Sequence, residues 1–306
     1  MFSSSTADGD RSRSGRDARR TARAVLARIA HPVLLLSVAT VFAASLRNGW
    51  EPDRVTFVFQ LSVLCYLVAL ECLIPYERAW RPDRREWGWY GVYYVLTAVA
   101  GALGQSLVLV AVGAVARPHS VLPLWAEIPV ALLLGSLASY VVHRLGHTNR
   151  WLWRLHGVHH VPEKVNVANN GVNHVLDVLL SQGCVQLALA LVGFSETAVF
   201  GVGLFVVAQG YFVHANITVR LGPLNHVFAS PEQHRLHHST DLAEAGHYSS
   251  DLSVWDRVFG SFTWRPGREP AAVGLVNPDS FPGTGAIIAT LVHPLRRSVK
   301  AGETAG

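Results

Sequence analysis

A series of long apolar segments constrains the fold of this chain more than any other feature of its sequence. A helix needs about 20 apolar residues to cross a bilayer, and only helices and closed barrels satisfy their backbone there. Four segments and then a closely spaced pair approach that length, near residues 31–47, 55–75, 90–116, 124–143, 175–193 and 196–214. The sequence therefore predicts an all-α, polytopic membrane bundle of about four transmembrane helices plus a helical hairpin.

The composition agrees with a membrane protein and argues against other classes. Charged residues make up 15% of the 306 residues and hydrophobic residues 50%, whereas a typical soluble domain is about 25% charged. The arginines flank apolar segments and form no separate basic face, so nucleic-acid binding is not expected. The three cysteines lie in apolar stretches without CxxC spacing, which argues against a disulfide framework and a thiolate zinc site.

The arginines also predict the orientation of the bundle. They are dense in the segment before the first span and in the loop after the second, at Arg78, Arg81, Arg84 and Arg85. Because cytoplasmic loops carry the excess of Lys and Arg, we expect the N-terminus to be cytoplasmic. The ends of the fourth span, near His143, and of the sixth, near His214, then lie on the cytoplasmic side as well.

Eight of the 15 histidines fall into three boxes, HRLGH (143–147), HGVHH (156–160) and HRLHH (234–238). Residues three and four apart share a helix face, and imidazole is the commonest side-chain metal ligand. The boxes predict a cytoplasmic, histidine-rich helical cap with two metal ions. Ligand type alone leaves Zn, Cu, Fe and Ni open. The candidate ligands in the boxes are His143, His147, His156, His159, His160, His234, His237 and His238.

The boxes and their surroundings resemble the sterol desaturase and fatty acid hydroxylase superfamily. The most specific matches are PEQHRLHH (231–238) and WDRVFGS (255–261), and the resemblance covers about residues 130–265. It implies a non-haem di-iron centre of two Fe ions, O2 as co-substrate and a lipid-like substrate. It also implies two further ligands, His214 in FVHAN and His174 in NHVLD, although Val175 stands where the family usually has proline.

Other polar residues near the boxes are expected to orient the ligands. A ligating imidazole usually donates its second N–H to a nearby acceptor, while the chemistry itself takes place at the metal ions. No protein side chain is therefore assigned a direct catalytic role. The candidates for this supporting shell are Asn170, Asn173, Asn216, His247 and Asp256.

The sequence divides into four predicted regions. The first is expected to be a disordered basic tail, and the last a tail with a short interfacial helix near 284–294. The regions are the tail 1–28, N-terminal transmembrane helices 29–125, a catalytic domain 126–265 and the C-terminal tail 266–306.

The expected reaction is hydroxylation of a C–H bond in a lipid-like substrate, with desaturation as the close alternative. Both begin with the same hydrogen abstraction, so the boxes do not separate them. Without a GxGxxG motif or a haem domain, the chain needs a separate electron donor, a ferredoxin or similar protein with its reductase. A zinc membrane hydrolase would carry HExxH, and a metal transporter would carry ionisable groups within its spans. Both are distant alternatives.

Overall fold

A computed structural model describes residues 5–113 and 120–296 of the chain. Within these ranges every regular element is helical, and extended pairing is limited to three isolated bridges. The predicted all-α class is therefore confirmed. The α-helices are α1 (Ser5–Asn48), α2 (Pro52–Leu73), α3 (Arg84–Gly113), α4 (Leu124–Thr148), α5 (Arg150–His156), α6 (Val175–Val192), α7 (Glu196–Val213), α8 (Pro231–His237), α9 (Val254–Val258) and α10 (Ile287–Val292). Short 3-10 helices lie at Arg78–Trp80, Gly157–His160, Val167–Gly171, Gly222–His226, Pro278–Ser280 and His293–Leu295.

Six of the helices are long and apolar enough to cross a membrane: α1 from Arg20 onwards, α2, α3, α4, α6 and α7. They match the predicted four spans and hairpin. One expectation differs from the structure, because α1 begins at Ser5 and includes most of the basic tail that was expected to be disordered. Arg and Ala are strong helix formers, and an existing helix propagates into them at little cost. Residues 1–4 and 297–306, which belong to the two predicted tails, lie outside the described residues.

Helix α7 is the centre of the bundle. In its most apolar 18-residue segment 56% of the residues are buried, against 6% in α6. It packs against α1, α2 and α4, while α6 packs against α3 and α4. Leu204, Ala208 and Phe212 of α7 join the main core, together with Leu34 of α1 and Leu67 of α2.

Both helices of the α6–α7 hairpin pack against α4. Its turn contains Gly193, with φ of 80°, and Ser195, which caps α7. The Ser195 backbone N–H and hydroxyl donate to the Glu127 carboxylate, at 2.6 and 2.7 Å, in the first turn of α4. Each helix of the hairpin has 18 residues, or about 27 Å, close to the ~30 Å hydrocarbon thickness. The turn therefore lies at one end of the bundle, and His214 follows α7 at the other.

The irregular segments gather at the end where α2, α4 and α7 terminate. An isolated bridge joins Pro75, just after α2, to Ile217, just after α7. Helix α5 turns back directly after α4, and α8 packs against α7. A short helix, α10, occurs inside the predicted interfacial segment 284–294; its position at a membrane interface stays a prediction.

Candidate metal centre

Nine imidazoles converge at this end of the bundle in two adjoining groups. Within each group, one ring nitrogen per histidine lies within 4.8 Å of the others. The first group is His143, His147, His156, His160 and His237, and the second group is His159, His214, His234 and His238. The rings of His160 and His238 stack at 4.3 Å between centroids, so the two groups share a border.

The groups do not follow the boxes of the sequence. His156 ends α5, and the chain then tightens into a 3-10 helix that carries His159 and His160. This change of helix type directs His159 into the second group while His156 and His160 enter the first. In the distal box, His234 and His238 share one face and His237 lies beside it. Both HxxHH boxes thus contribute to both groups.

The unpaired nitrogen atoms fit a bound metal. A buried imidazole nitrogen without a hydrogen bond is costly unless something else occupies its lone pair. In the first group all five Nε2 atoms are buried without a partner among the described residues. In the second group the same holds for His214 Nε2, His234 Nδ1 and His238 Nδ1. This donor set, entirely imidazole, suits Fe, Zn, Cu or Ni.

Carbonyl and carboxylate oxygens hold the opposite nitrogen of several rings. His156 Nδ1 donates to Asp177 Oδ2 at 3.0 Å, and His214 Nδ1 donates to the Asn166 carbonyl at 2.8 Å. His143 Nδ1 donates to the carbonyl of Tyr248. Such bonds fix the ring tautomer and direct Nε2 towards the metal position.

Two further ring bonds complete this pattern, one in each group. His159 Nδ1 donates to the Val172 carbonyl at 3.2 Å, and His237 Nδ1 donates to the Gly246 carbonyl at 3.3 Å. Gly246 is itself constrained, because a Cβ there would come within 2.6 Å of Thr263 Cγ2. The acceptors are thus mostly backbone groups of tightly packed loops.

Burial keeps these imidazoles in the form that binds metal. Removal from water lowers the pKa of His214 to about 4. It also lowers the pKa of the ligand candidates outside the membrane spans well below the usual value, with neighbouring imidazoles adding to the effect; these are His159, His160, His234, His237 and His238. Neutral imidazole is the species that coordinates metal.

His174 lies outside both groups, so the structure gives no support to its predicted role as a ligand. It is the N-cap of α6, where its Nδ1 accepts the Leu176 backbone N–H at 3.1 Å. Its Nε2 donates to the Leu291 carbonyl at 3.2 Å. Both nitrogens are therefore used in hydrogen bonds, and the side chain connects α6 to the C-terminal segment.

Asp256 supports the site through the loop that carries Tyr248. Its carboxylate accepts the backbone N–H groups of Tyr248 and Ser249, at 2.7 and 3.0 Å, and the Ser261 hydroxyl at 2.7 Å. The Tyr248 carbonyl in turn holds His143. His247, with φ of 70°, lies 3.6 Å from the Asp256 carboxylate and belongs to neither histidine group.

The predicted asparagines contact backbone rather than imidazole. Asn173 Nδ2 donates to the Asn170 carbonyl at 2.8 Å. Asn216 bonds to both backbone groups of Glu77, and its own N–H donates to Glu71 Oε1 at 2.7 Å. These bonds hold loop backbone in place, and none of them involves an imidazole.

Three residues of the site were missed from the sequence. Asp177 holds His156, the Asn166 carbonyl holds His214, and Gly146 leaves room for the His156 ring, which a Cβ would approach to 3.0 Å. Asp177 could have been found, since it follows His174 in the NHVLD element. The role of Asn166 depends on its carbonyl, which leaves no trace in residue identity.

Comparisons with known proteins find matches over the part of the chain that carries the histidines. A family model described as fatty acid hydroxylase matches residues 128–261. Ornithine lipid hydroxylase OlsE from Rhizobium tropici is 31% identical over 232 residues, which cover 71% of this chain and 70% of that protein. Alkylglycerol monooxygenases from Danio rerio and Homo sapiens are 29% and 30% identical over 49% and 48% of this chain. The chain spans about a third of those two relatives, 33% in each case. No solved structure matches the chain.

Proposed function

The chain belongs to the fatty acid hydroxylase family, and from that premise we propose that it hydroxylates a C–H bond of a membrane lipid with O2 and external electrons. Its six apolar helices make it an integral membrane protein. The observation that carries the proposal is the pair of histidine groups whose buried nitrogens lack partners.

We propose that each histidine group holds one iron ion. When bound, the two ions would supply the activation of O2 and the oxidation of an unactivated C–H bond. The balanced reaction takes the lipid, O2, two electrons and two protons to the hydroxylated lipid and water. Zinc fits the ligand type equally well but has no redox chemistry, so the oxygenase relatives favour iron.

The protein's own residues hold the imidazoles still and exclude water. Asp177 and the carbonyls of Tyr248 and Asn166 fix three rings in one tautomer. His237 and His238 are each 1% exposed, so bulk water has little access to their side chains. Carboxylates contribute through hydrogen bonds to imidazole and backbone, as Asp177 and Asp256 do.

The relatives point towards a polar lipid and towards hydroxylation. One is named for an ornithine lipid and the others for alkylglycerols, and their names denote hydroxylation or monooxygenation. We therefore propose a membrane lipid with a polar head group as substrate, and hydroxylation in preference to desaturation. Electrons would come from a ferredoxin or similar donor on the cytoplasmic side, where the arginine distribution predicts the histidines to lie.

The test is a comparison of metal content and lipid products. Anaerobically purified protein is expected to contain about two irons per chain. Cells that express it should accumulate a lipid heavier by one oxygen, only when O2 is present. His160→Ala should lose both metal and product, because it removes a ligand at the border of the two groups.

His226→Ala is the matched control, since this imidazole stacks on Phe262 at 5.1 Å and lies outside both groups. It should retain the metal and the product. Zinc alone, with no redox response after iron reconstitution, would contradict the proposed chemistry. A desaturated lipid two hydrogens lighter would select the alternative reaction.

A further inference from the structure

A cavity of about 660 Å³ lies between α1 and α2, far from the histidines. The two helices are in contact where Leu34 and Val63 are buried, and the Tyr66 hydroxyl donates to the Ala30 carbonyl at 2.9 Å. The cavity extends along both helices to the α1–α2 connection, where Trp50 and Arg54 line its end. Since α2 ends near His214, this end of the cavity is at the opposite end of the bundle. We call the cavity the α1–α2 groove.

The interior of the groove offers no free polar group. Its walls are mainly aliphatic, with Val41 and Val58 as examples. The hydroxyls of Ser37 and Ser62 already donate to carbonyls of their own helices, at 2.7 and 2.8 Å. An apolar lining of this kind does not hold water stably, and it is suited to a hydrocarbon.

The mouth of the groove, in contrast, offers a positive charge. Arg54 forms no ion pair with any residue in the described part of the chain. The nearby Glu51 carboxylate is engaged as the N-cap of α2, where it accepts the Asp53 and Arg54 backbone N–H groups at 3.0 and 2.7 Å. The guanidinium is therefore free to bind an anion at the level of the helix ends.

The dimensions agree with one lipid chain. The groove follows α2 over residues 51–66, or about 22 Å at the helical rise of ~1.5 Å per residue. One leaflet of the hydrocarbon core is about 15 Å deep, and the remaining length corresponds to the head-group region around Arg54. The volume is also within the range of about 300–1,000 Å³ typical of ligand cavities.

We propose that the α1–α2 groove binds one acyl chain of a membrane phospholipid, with the lipid phosphate against Arg54. This lipid is separate from the substrate, because the buried core of Ala30, Leu67 and Phe212 closes the groove off from the histidines. The proposal does not depend on the proposed function. It makes the α1–α2 pair a lipid-binding element of the bundle.

The experiment measures phosphatidylglycerol binding to the delipidated full-length protein by native mass spectrometry in detergent. Val58→Trp fills the groove and should lower the bound fraction at least fivefold. The matched control is Val95→Trp on α3, at a similarly exposed position (60% against 56% for Val58), and it should bind as the wild type does. Arg54→Gln should weaken phosphatidylglycerol binding about two- to fivefold, as expected for an exposed ion pair, and leave the binding of uncharged diacylglycerol unchanged.

Three outcomes would overturn the proposal. The first is equal lipid binding by the wild type and a folded Val58→Trp variant. The second is displacement of the lipid by inorganic phosphate alone. The third is a wild-type dimer that Val58→Trp converts to a monomer, since the groove would then bind a second copy of the chain. The thermal unfolding temperature in detergent serves as an independent check that each variant is folded, and it does not depend on the proposed iron binding.

Discussion

At the scale of single residues, the two nitrogens of each imidazole decide its role. His214 has one nitrogen held by the Asn166 carbonyl and the other buried without a partner, whereas His174 uses both in hydrogen bonds. Both histidines occur in elements that resemble the family's motifs. The sequence could therefore not distinguish them, because residue type says nothing about which nitrogen is already satisfied.

Replacement of each of these two histidines by alanine should distinguish a metal ligand from a helix N-cap. His214→Ala should lose metal from the second group and all activity. His174→Ala should retain about two irons and lose only the helix cap, which is worth about 1 kcal/mol of stability. The measurements are metal analysis and the thermal unfolding temperature in detergent. Metal loss in His174→Ala equal to that in His214→Ala would restore His174 as a ligand.

Asp177 should matter to the metal centre without being a ligand. Asp177→Ala removes the acceptor of His156 Nδ1 and should lower iron affinity or turnover about ten- to hundredfold. Asp177→Asn retains an acceptor oxygen and should recover part of that loss. Iron titration of the apoprotein gives the affinities, and Asp279→Asn, on an exposed 3-10 helix, is the control. Unchanged iron affinity in Asp177→Ala would rule out this role.

At the scale of elements, the spans were predictable and the junctions between them were not. Apolar length alone fixes α2, α3, α4 and the hairpin, because a bilayer demands continuous helices. The change from α5 to a 3-10 helix at Gly157–His160 has no comparable signal in the sequence. It arises where Gly157 packs so closely that a Cβ would meet the Phe281 ring at 2.3 Å.

The loop 247–249 is an element that depends on one side chain. Asp256→Ala would leave the backbone N–H groups of Tyr248 and Ser249 buried and unpaired, at a cost of about 2–4 kcal/mol. We expect a lower unfolding temperature together with weaker iron binding, because the Tyr248 carbonyl holds His143. Asp256→Asn should reduce the unfolding temperature and the iron affinity by less than Asp256→Ala does.

The comparison with Asp256→Asn tests this coupling through the loop. If both variants unfold at the wild-type temperature and bind iron normally, the loop does not depend on this carboxylate. Asp241→Asn, at an exposed turn position, is the control: it removes one nearby negative charge and should leave the unfolding temperature and iron binding unchanged.

At the scale of the whole molecule, the orientation in the membrane is open to direct test. The structure places the hairpin turn and the histidines at opposite ends of the bundle. In a background with Cys65, Cys72 and Cys184 replaced by alanine, an impermeant maleimide should label Glu196→Cys in intact cells. Arg150→Cys, beside the histidines, should react only after lysis. Labelling of Arg150→Cys in intact cells would reverse the predicted orientation.

The sequence by itself determined the helical membrane bundle and eight of the nine clustered histidines, because hydropathy and histidine spacing are local signals. His214 came from the resemblance of FVHAN to a family motif. Only the tertiary structure decided how the histidines divide between two groups, why His174 is a cap and which backbone carbonyls hold the rings. These depend on close packing between α4, α5, α8 and distant loops. Every residue has a backbone carbonyl, so residue identity does not show which carbonyl accepts a hydrogen bond from a distant imidazole.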